Sequence, residues 1–151
     1  MKNNYEFCIF CQIAQGEIDS YIVYENDVLK AFLDCRPIRP GHVQIIPKEH
    51  FEYFDDLPTS IANEIFELAQ RIGKAQKKLY NVDRVGFLFT GGDVKHAHAH
   101  VVPLVGKNDI TSREYIKEKE LTFVARPRAR AQDLEEVSLK LSFTMKEFSS
   151  D

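Results

Sequence analysis

With 151 residues, 44% of them apolar, the chain is long enough to bury one core and little more, so one domain over residues 1–151 is expected. Its 20 basic and 23 acidic residues are mixed along the sequence and leave a net charge of -3, which supplies no basic footprint for nucleic acid. The first residues lack the apolar stretch of a signal peptide and no run of about 18 apolar residues occurs, so no membrane association and a cytoplasmic location are expected.

The predicted elements begin with Cys8-Ile9-Phe10-Cys11, a pair spaced as metal ligands or redox thiols rather than as a structural disulfide. Gly16 ends a short helical turn behind it. Tyr21–Tyr24 and Val28–Leu33 read as two strands joined at Glu25-Asn26-Asp27. Cys35 reads as a half-buried small apolar side chain. The Pro and Gly content of Arg36–Gly41 marks a turn, and His42–Ile46 follows as a third strand. From Pro58 to about Tyr80, Ile61, Ile65, Leu68, Ile72, Ala75 and Leu79 recur at spacings of three and four, which predicts a long amphipathic helix covering one face of a sheet. Val85–Phe89 and His96–Leu104 are read as two further strands around the loop Thr90–Val94. The remainder, 106–151, is expected to be a helical extension, with helical stretches near Ser112–Glu120 and Asp133–Lys146 on either side of the basic segment Arg126–Arg130.

Chemistry concentrates in His96-Ala97-His98-Ala99-His100, which holds three of the five histidines. On a strand these imidazoles share one face, spaced by roughly 6.6 Å, while Ala97 and Ala99 present methyl groups to the other. Read from the residues alone, the run is a metal site, a catalytic array or an incidental stripe. Imidazole suits either chemistry, since its proton exchanges near neutral pH and its nitrogens attack electrophiles or bind metal.

The run continues as His96-Ala97-His98-Ala99-His100-Val101-Val102. Upstream stand Phe32-Leu33-Asp34, Pro40-Gly41-His42 and Ile46-Pro47-Lys48-Glu49-His50. Together these motifs, from about Phe7 to Val105, resemble the histidine triad (HIT) family, whose signature alternates histidine with apolar residues. The resemblance implies a single α+β HIT domain: a five-stranded antiparallel sheet with one long helix and flanking shorter ones, commonly a homodimer. The activity it implies is nucleotide hydrolysis or nucleotidyl transfer at the α-phosphate of a dinucleoside polyphosphate or a nucleoside phosphoramidate. His98 would be the nucleophile forming a nucleotidyl-histidine intermediate, while His100 and His42 would donate hydrogen bonds to the phosphate. Phe32 would pack on the base, expected to be a purine, and Asp34 would bind the ribose hydroxyls.

Gly92 and Asp93 stand where family members carry Gln and Ser or Thr. Asp93 is therefore the candidate for protonating the leaving group, and Thr90, Gly91 and Gly92 offer a backbone nest to phosphate. A nucleotide-binding adaptor with little turnover is the alternative that this departure raises. Cys8 and Cys11 lack a second cysteine pair, so two further ligands are required for a tetrahedral site. The resemblance to zinc-bearing members implies His96, and His50 completes the set. Four protein ligands make the zinc structural, with no position left for water or substrate.

Overall fold

The computed structural model describes residues 8–106, 109 and 125–148. Helix α1 (Ile9–Gln15) is closed by Gly16 at a φ of 80°, where its N–H caps the carbonyl of Ile13. Strands β1 (Ile22–Glu25) and β2 (Leu29–Leu33) form the expected hairpin. Asn26 shapes its turn by accepting from the backbone N–H groups of Val28 and Leu29 with one side-chain oxygen. Strand β3 (Val43–Pro47) pairs with β2, and the long helix α2 (Thr59–Tyr80) follows a single 3-10 turn at Phe54–Asp56. Pro58 lies one residue outside the helix, at its N-cap, and its carbonyl accepts the first helical bond from Ala62.

Strands β4 (Arg84–Phe89) and β5 (Ala99–Leu104) complete an antiparallel sheet of order β1-β2-β3-β5-β4. Helix α3 (Ala131–Met145) runs on into a 3-10 turn at Lys146–Phe148. The stretch predicted at Ser112–Glu120 lies outside the described residues.

Alternation sorts the strand residues to two faces. Leu29, Ala31, Val43, Ile45, Ala99 and Val101 turn to α2 and α3, where Ile65, Leu68, Ile72, Leu141 and Met145 close the main core. The opposite face carries Phe32 and Ile46, which pack with Phe10 and Ile13 of α1 in a second cluster that includes both paired cysteines. Because helices cover both faces, β2 and β3 are buried along their whole length rather than at alternate residues. β4 is one of the two outer strands, and every residue in it keeps some exposure.

The final strand starts at Ala99 and not, as alternation predicts, at His96. Upstream of Ala99 the backbone leaves β3: the N–H of Ala97 donates to the carbonyl of Phe51 at 2.6 Å, in the segment beyond β3. The triad therefore spans a bend, with only His100 on regular strand.

α2 also positions the turn before His42. Gln76 is fully buried and its amide donates to the carbonyls of Gly41 and Val101 at 2.8 and 2.9 Å. Gly41 has a φ of +87°, and a Cβ there would lie 2.4 Å from the Tyr80 ring. Only glycine meets both demands.

Candidate active site and metal centre

His42, at the mouth of β3, is 2% exposed. A backbone N–H can only donate, so the bond from Ile38 N–H at 3.2 Å makes Nδ1 of His42 an acceptor. The proton of the neutral ring then sits on Nε2, which donates to Nδ1 of His100 at 2.9 Å. His100 is in turn left with its proton on Nε2, as a hydrogen-bond donor. Burial pushes His42 down to about 4, against the opposing pull of Asp34. Burial also lowers His100, reinforced by His98 and opposed by the carboxylates of Asp34 and Asp93. Both shifts favour the neutral rings.

His98 is 4% exposed and places Nδ1 2.6 Å from the carbonyl of His96. A carbonyl only accepts, so Nδ1 carries a proton, and in the neutral ring the lone pair lies on Nε2. Phe10 and His100 meet the His98 ring edge-on, each with centroids 5.0 Å away. Asp34 is held from two sides: Arg36 N–H donates to one oxygen at 2.7 Å and the Gln44 amide to the other at 2.6 Å. That second oxygen lies 3.8 Å from His42 Nδ1. Phe32 is buried beneath Phe10, edge to face at 5.8 Å.

The loop after β4 leaves Thr90, Gly92 and Asp93 exposed. Gly91 takes a φ of +64° with the Tyr53 ring against it, whereas a Cβ on Gly92 would meet nothing within 4 Å. Among the described residues, no side chain of the loop hydrogen-bonds a nitrogen of His42, His96, His98 or His100.

His96 turns away from the other two. Fully buried, it donates from Nε2 to the carbonyl of Pro47 at 2.9 Å, which frees Nδ1 to face the Sγ atoms of Cys8 and Cys11, each at 3.5 Å. His50 Nδ1 stands 3.2 Å from Cys11 Sγ, and the four donor atoms of Cys8, Cys11, His50 and His96 lie within 4.8 Å of one another. Tetrahedral zinc, with bonds of about 2.3 Å to sulfur and about 2.0 Å to nitrogen, sets sulfur and nitrogen about 3.5 Å apart. The donor set fits that ion in number, chemistry and spacing. The Pro47 carbonyl supplies the outer hydrogen bond that fixes a ligating imidazole. Without metal, burial, the hydrogen bond that the neutral Cys11 thiol donates to Cys8 and the charge of Cys8 push Cys11 up to about 12, and burial pushes His96 down to about 4. Asp34, His42 and His100 form a second close group, but both nitrogens of His42 and Nδ1 of His100 are already engaged in the chain just described.

The structure thus brings together every histidine that the sequence reading selected and divides them into two centres. Sequence reasoning missed Gln44, whose only signal is a polar residue two positions after His42 in an otherwise apolar strand. Tyr53 and Phe54, beside His98, were also missed; they fall in a short acidic segment that reads as an ordinary turn.

A five-stranded α+β sheet bearing a bent histidine triad, with a Cys₂His₂ cluster at its first histidine, defines the class. The HIT domain profile matches residues 15–106, and the chain belongs to the HIT family. It is 34% identical over 118 residues to an uncharacterized HIT-like protein of Saccharolobus solfataricus, covering 75% of this chain and 85% of the relative. It is 37% identical over 97 residues to the adenosine 5'-monophosphoramidase of Saccharomyces cerevisiae, 64% of this chain and 61% of that one. A zinc-bound histidine triad family protein from Mycobacterium smegmatis has a fold similar at a TM-score of 0.73, with 26% identity and coverage of 96% and 97%. Among the described residues, no helix is long and apolar enough to cross a membrane.

Proposed function

We propose that the protein is a nucleotide phosphohydrolase or nucleotidyl transferase that releases a nucleoside monophosphate through a covalent intermediate on His98. The observation that carries this reading is the distribution of imidazole protons. The His96 carbonyl holds a proton of His98 on Nδ1, so that the neutral ring keeps its lone pair on Nε2, while the Ile38-His42-His100 chain leaves His100 with an N–H to offer a phosphate oxygen. As Nε2 of His98 bonds to the α-phosphorus, the bond to the leaving group breaks and its electron pair departs with that group, which takes a proton from solvent at the exposed Asp93 loop. Water then adds to the phosphorus, breaks the P–N bond to His98 and releases its own proton, giving the monophosphate. Two modest barriers replace one high one. Charge developing on the phosphoryl oxygens meets His100 and the backbone N–H groups of Thr90, Gly91 and Gly92.

Asp34, held by Arg36 and Gln44, is assigned to the ribose hydroxyls, and Phe32, buried beneath Phe10, would support the base only from under that ring. An adenosine nucleotide is the proposed substrate, supported by the name of the yeast relative. Cys8, Cys11, His50 and His96 would hold one zinc ion, which would tie α1 to the start of the triad and take no part in the reaction. Reduced cysteines and this ligand set suit a cytoplasmic protein. A homodimer is proposed through β4, whose free edge carries Phe87 packed edge-on with the exposed Phe66 of α2, centroids 5.7 Å apart.

The test is turnover of adenosine 5'-phosphoramidate and of diadenosine triphosphate by the wild type and by His98→Ala, with and without a mild chelator. The wild type should release AMP and His98→Ala should not, in either condition. Equal and negligible rates for both proteins would favour an adaptor that binds nucleotide without turnover. Loss of activity on chelation while the fold persists would make the metal catalytic.

A further inference from the structure

We infer that Cys8 and Cys11 form a site of reversible oxidation, at which a small neutral hydroperoxide joins the two sulfurs in a disulfide and drives zinc out of the Cys₂His₂ cluster. This rests on the zinc reading of that cluster and adds a chemistry to it.

The cluster is open on one side. A cavity of about 360 Å³ lies against it, lined by Cys8 and His50 together with Glu52, Asp93 and Lys95. Cys11, 4% exposed, and the fully buried His96 close the cluster from the inside. The two sulfurs therefore have different roles: an oxidant reaches Cys8, and Cys11 attacks the oxidised product from within. Both Sγ atoms lie 3.5 Å from Nδ1 of His96 and no more than 4.8 Å from each other.

The backbone allows the sulfurs to close. Side chains three residues apart on a helix have Cβ atoms about 5–6 Å apart, and a disulfide needs them at about 3.5–4.5 Å. Cys8 can supply that movement because it is the N-cap, in extended conformation at φ -86° and ψ 112°, outside the helical turns of α1. Helix α1 stays on the sheet when the metal leaves. Phe10 and Ile13 pack with Phe32 and Ile46, and the buried Lys30 ammonium donates to the Ile13 carbonyl at 2.9 Å. Oxidation thus removes the metal tie without removing the core that holds the helix.

Charge narrows the oxidant. Glu52 and Asp93 set two carboxylates against the one ammonium of Lys95, which pairs with Glu52 at 3.6 Å. A multiply anionic oxidant such as glutathione disulfide meets this surplus negative charge, whereas hydrogen peroxide is neutral and small. The Cys8 thiolate attacks one peroxide oxygen, the O–O bond breaks, and the other oxygen leaves as hydroxide and takes a proton from solvent, so that Cys8 becomes a sulfenic acid. The Cys11 thiolate then attacks the Cys8 sulfur, forming the S–S bond and displacing a second hydroxide, which is also protonated. One peroxide is reduced to two waters and two thiolates are oxidised to a disulfide. Zinc, left with two imidazoles, departs as the divalent ion.

The experiment exposes zinc-loaded protein to hydrogen peroxide and, separately, to glutathione disulfide at equal concentration. A chromogenic chelator reads released zinc, and peptide mass spectrometry reads the thiols. Peroxide should release close to one zinc per chain as the Cys8–Cys11 peptide loses about 2 Da, at a rate at least about tenfold above that with glutathione disulfide. Dithiothreitol followed by zinc should restore the metal. Cys35→Ser should change neither readout, because Cys35 packs against the main core and not with the pair. Cys11→Ser should instead yield a Cys8 sulfenic acid trapped by dimedone, with no disulfide. Zinc retained while peroxide modifies only Cys35, or zinc lost with Cys8 carried to a sulfinic acid and no disulfide formed, overturns the inference. Equal rates with both oxidants overturn the selection of a neutral peroxide. A protein that takes up no zinc refutes the metal reading instead, and a Cys8–Cys11 disulfide formed by peroxide in that protein would sustain the oxidation site without it.

Discussion

Gly41→Ala isolates how the long helix sets the position of His42. Two costs are readable at this glycine. A φ of +87° places an L-residue in the left-handed region, at about 1–2 kcal/mol. The new methyl would also stand 2.4 Å from Cε2 and 2.7 Å from Cζ of Tyr80, so the ring must shift, an overpacking cost of about 1–3 kcal/mol. Together they predict a loss of about 2–5 kcal/mol, a large share of a small domain's stability. Two other glycines separate the contributions. Gly16 has a φ of +80° with nothing within 4 Å of where a Cβ would stand, so Gly16→Ala should show the strain alone, about 1–2 kcal/mol. Gly92 has neither feature and Gly92→Ala should stay within about 0.5 kcal/mol. Urea denaturation followed by circular dichroism reads all three midpoints, and a Gly41→Ala/Tyr80→Ala double-mutant cycle should return a coupling of at least about 1 kcal/mol. If Gly41→Ala is no less stable than Gly16→Ala, the close approach of Tyr80 does not constrain this turn.

Acid should destabilise the fold through His42. Its folded pKa, about 4, lies below the ordinary 6.5, so between these values the unfolded chain binds a proton that the folded one refuses. Stability is therefore full above pH 6.5 and falls as the pH drops toward 4, by about 3 kcal/mol for this group. Urea titrations at pH 7.5 and 4.5 should show a smaller loss for His42→Gln than for wild type, and identical losses would remove His42 as the cause. Cys8→Ser should abolish close to one bound zinc per chain by elemental analysis and lower the melting temperature, and full metal content in the variant would contradict the four-ligand site. Phe87→Glu should convert a dimer to a monomer in sedimentation velocity, whereas an unchanged sedimentation coefficient would place the interface elsewhere.

The elements were legible in the sequence wherever a local rule governs them. The apolar spacing of α2 is a property of one helix face, the Asn26 turn is made within four residues, and Gly16 caps α1 by its own backbone freedom. The candidate site residues could also be named from the sequence, because the chemistry requires imidazole, thiol and carboxylate and the motifs keep them in order.

What remained hidden depends on atoms far apart in the chain. Alternation predicted a strand from His96, yet the Phe51 carbonyl takes the N–H of Ala97 and the strand begins at Ala99. No sequence pattern states which nitrogen of His98 or His100 carries a proton; the His96 carbonyl and the Ile38 N–H decide it, by being able only to accept or only to donate. The same holds for the aromatic cleft beside His98, where Tyr53 and Phe54 meet Phe89 from across the sheet. Which elements form, and which side chains are available for chemistry, could be read from the chain alone, because both follow from local spacing and residue type. Which imidazole faces sulfur, which faces phosphate and what borders the nucleophile could not, because each depends on a hydrogen bond or contact between segments that only folding brings together.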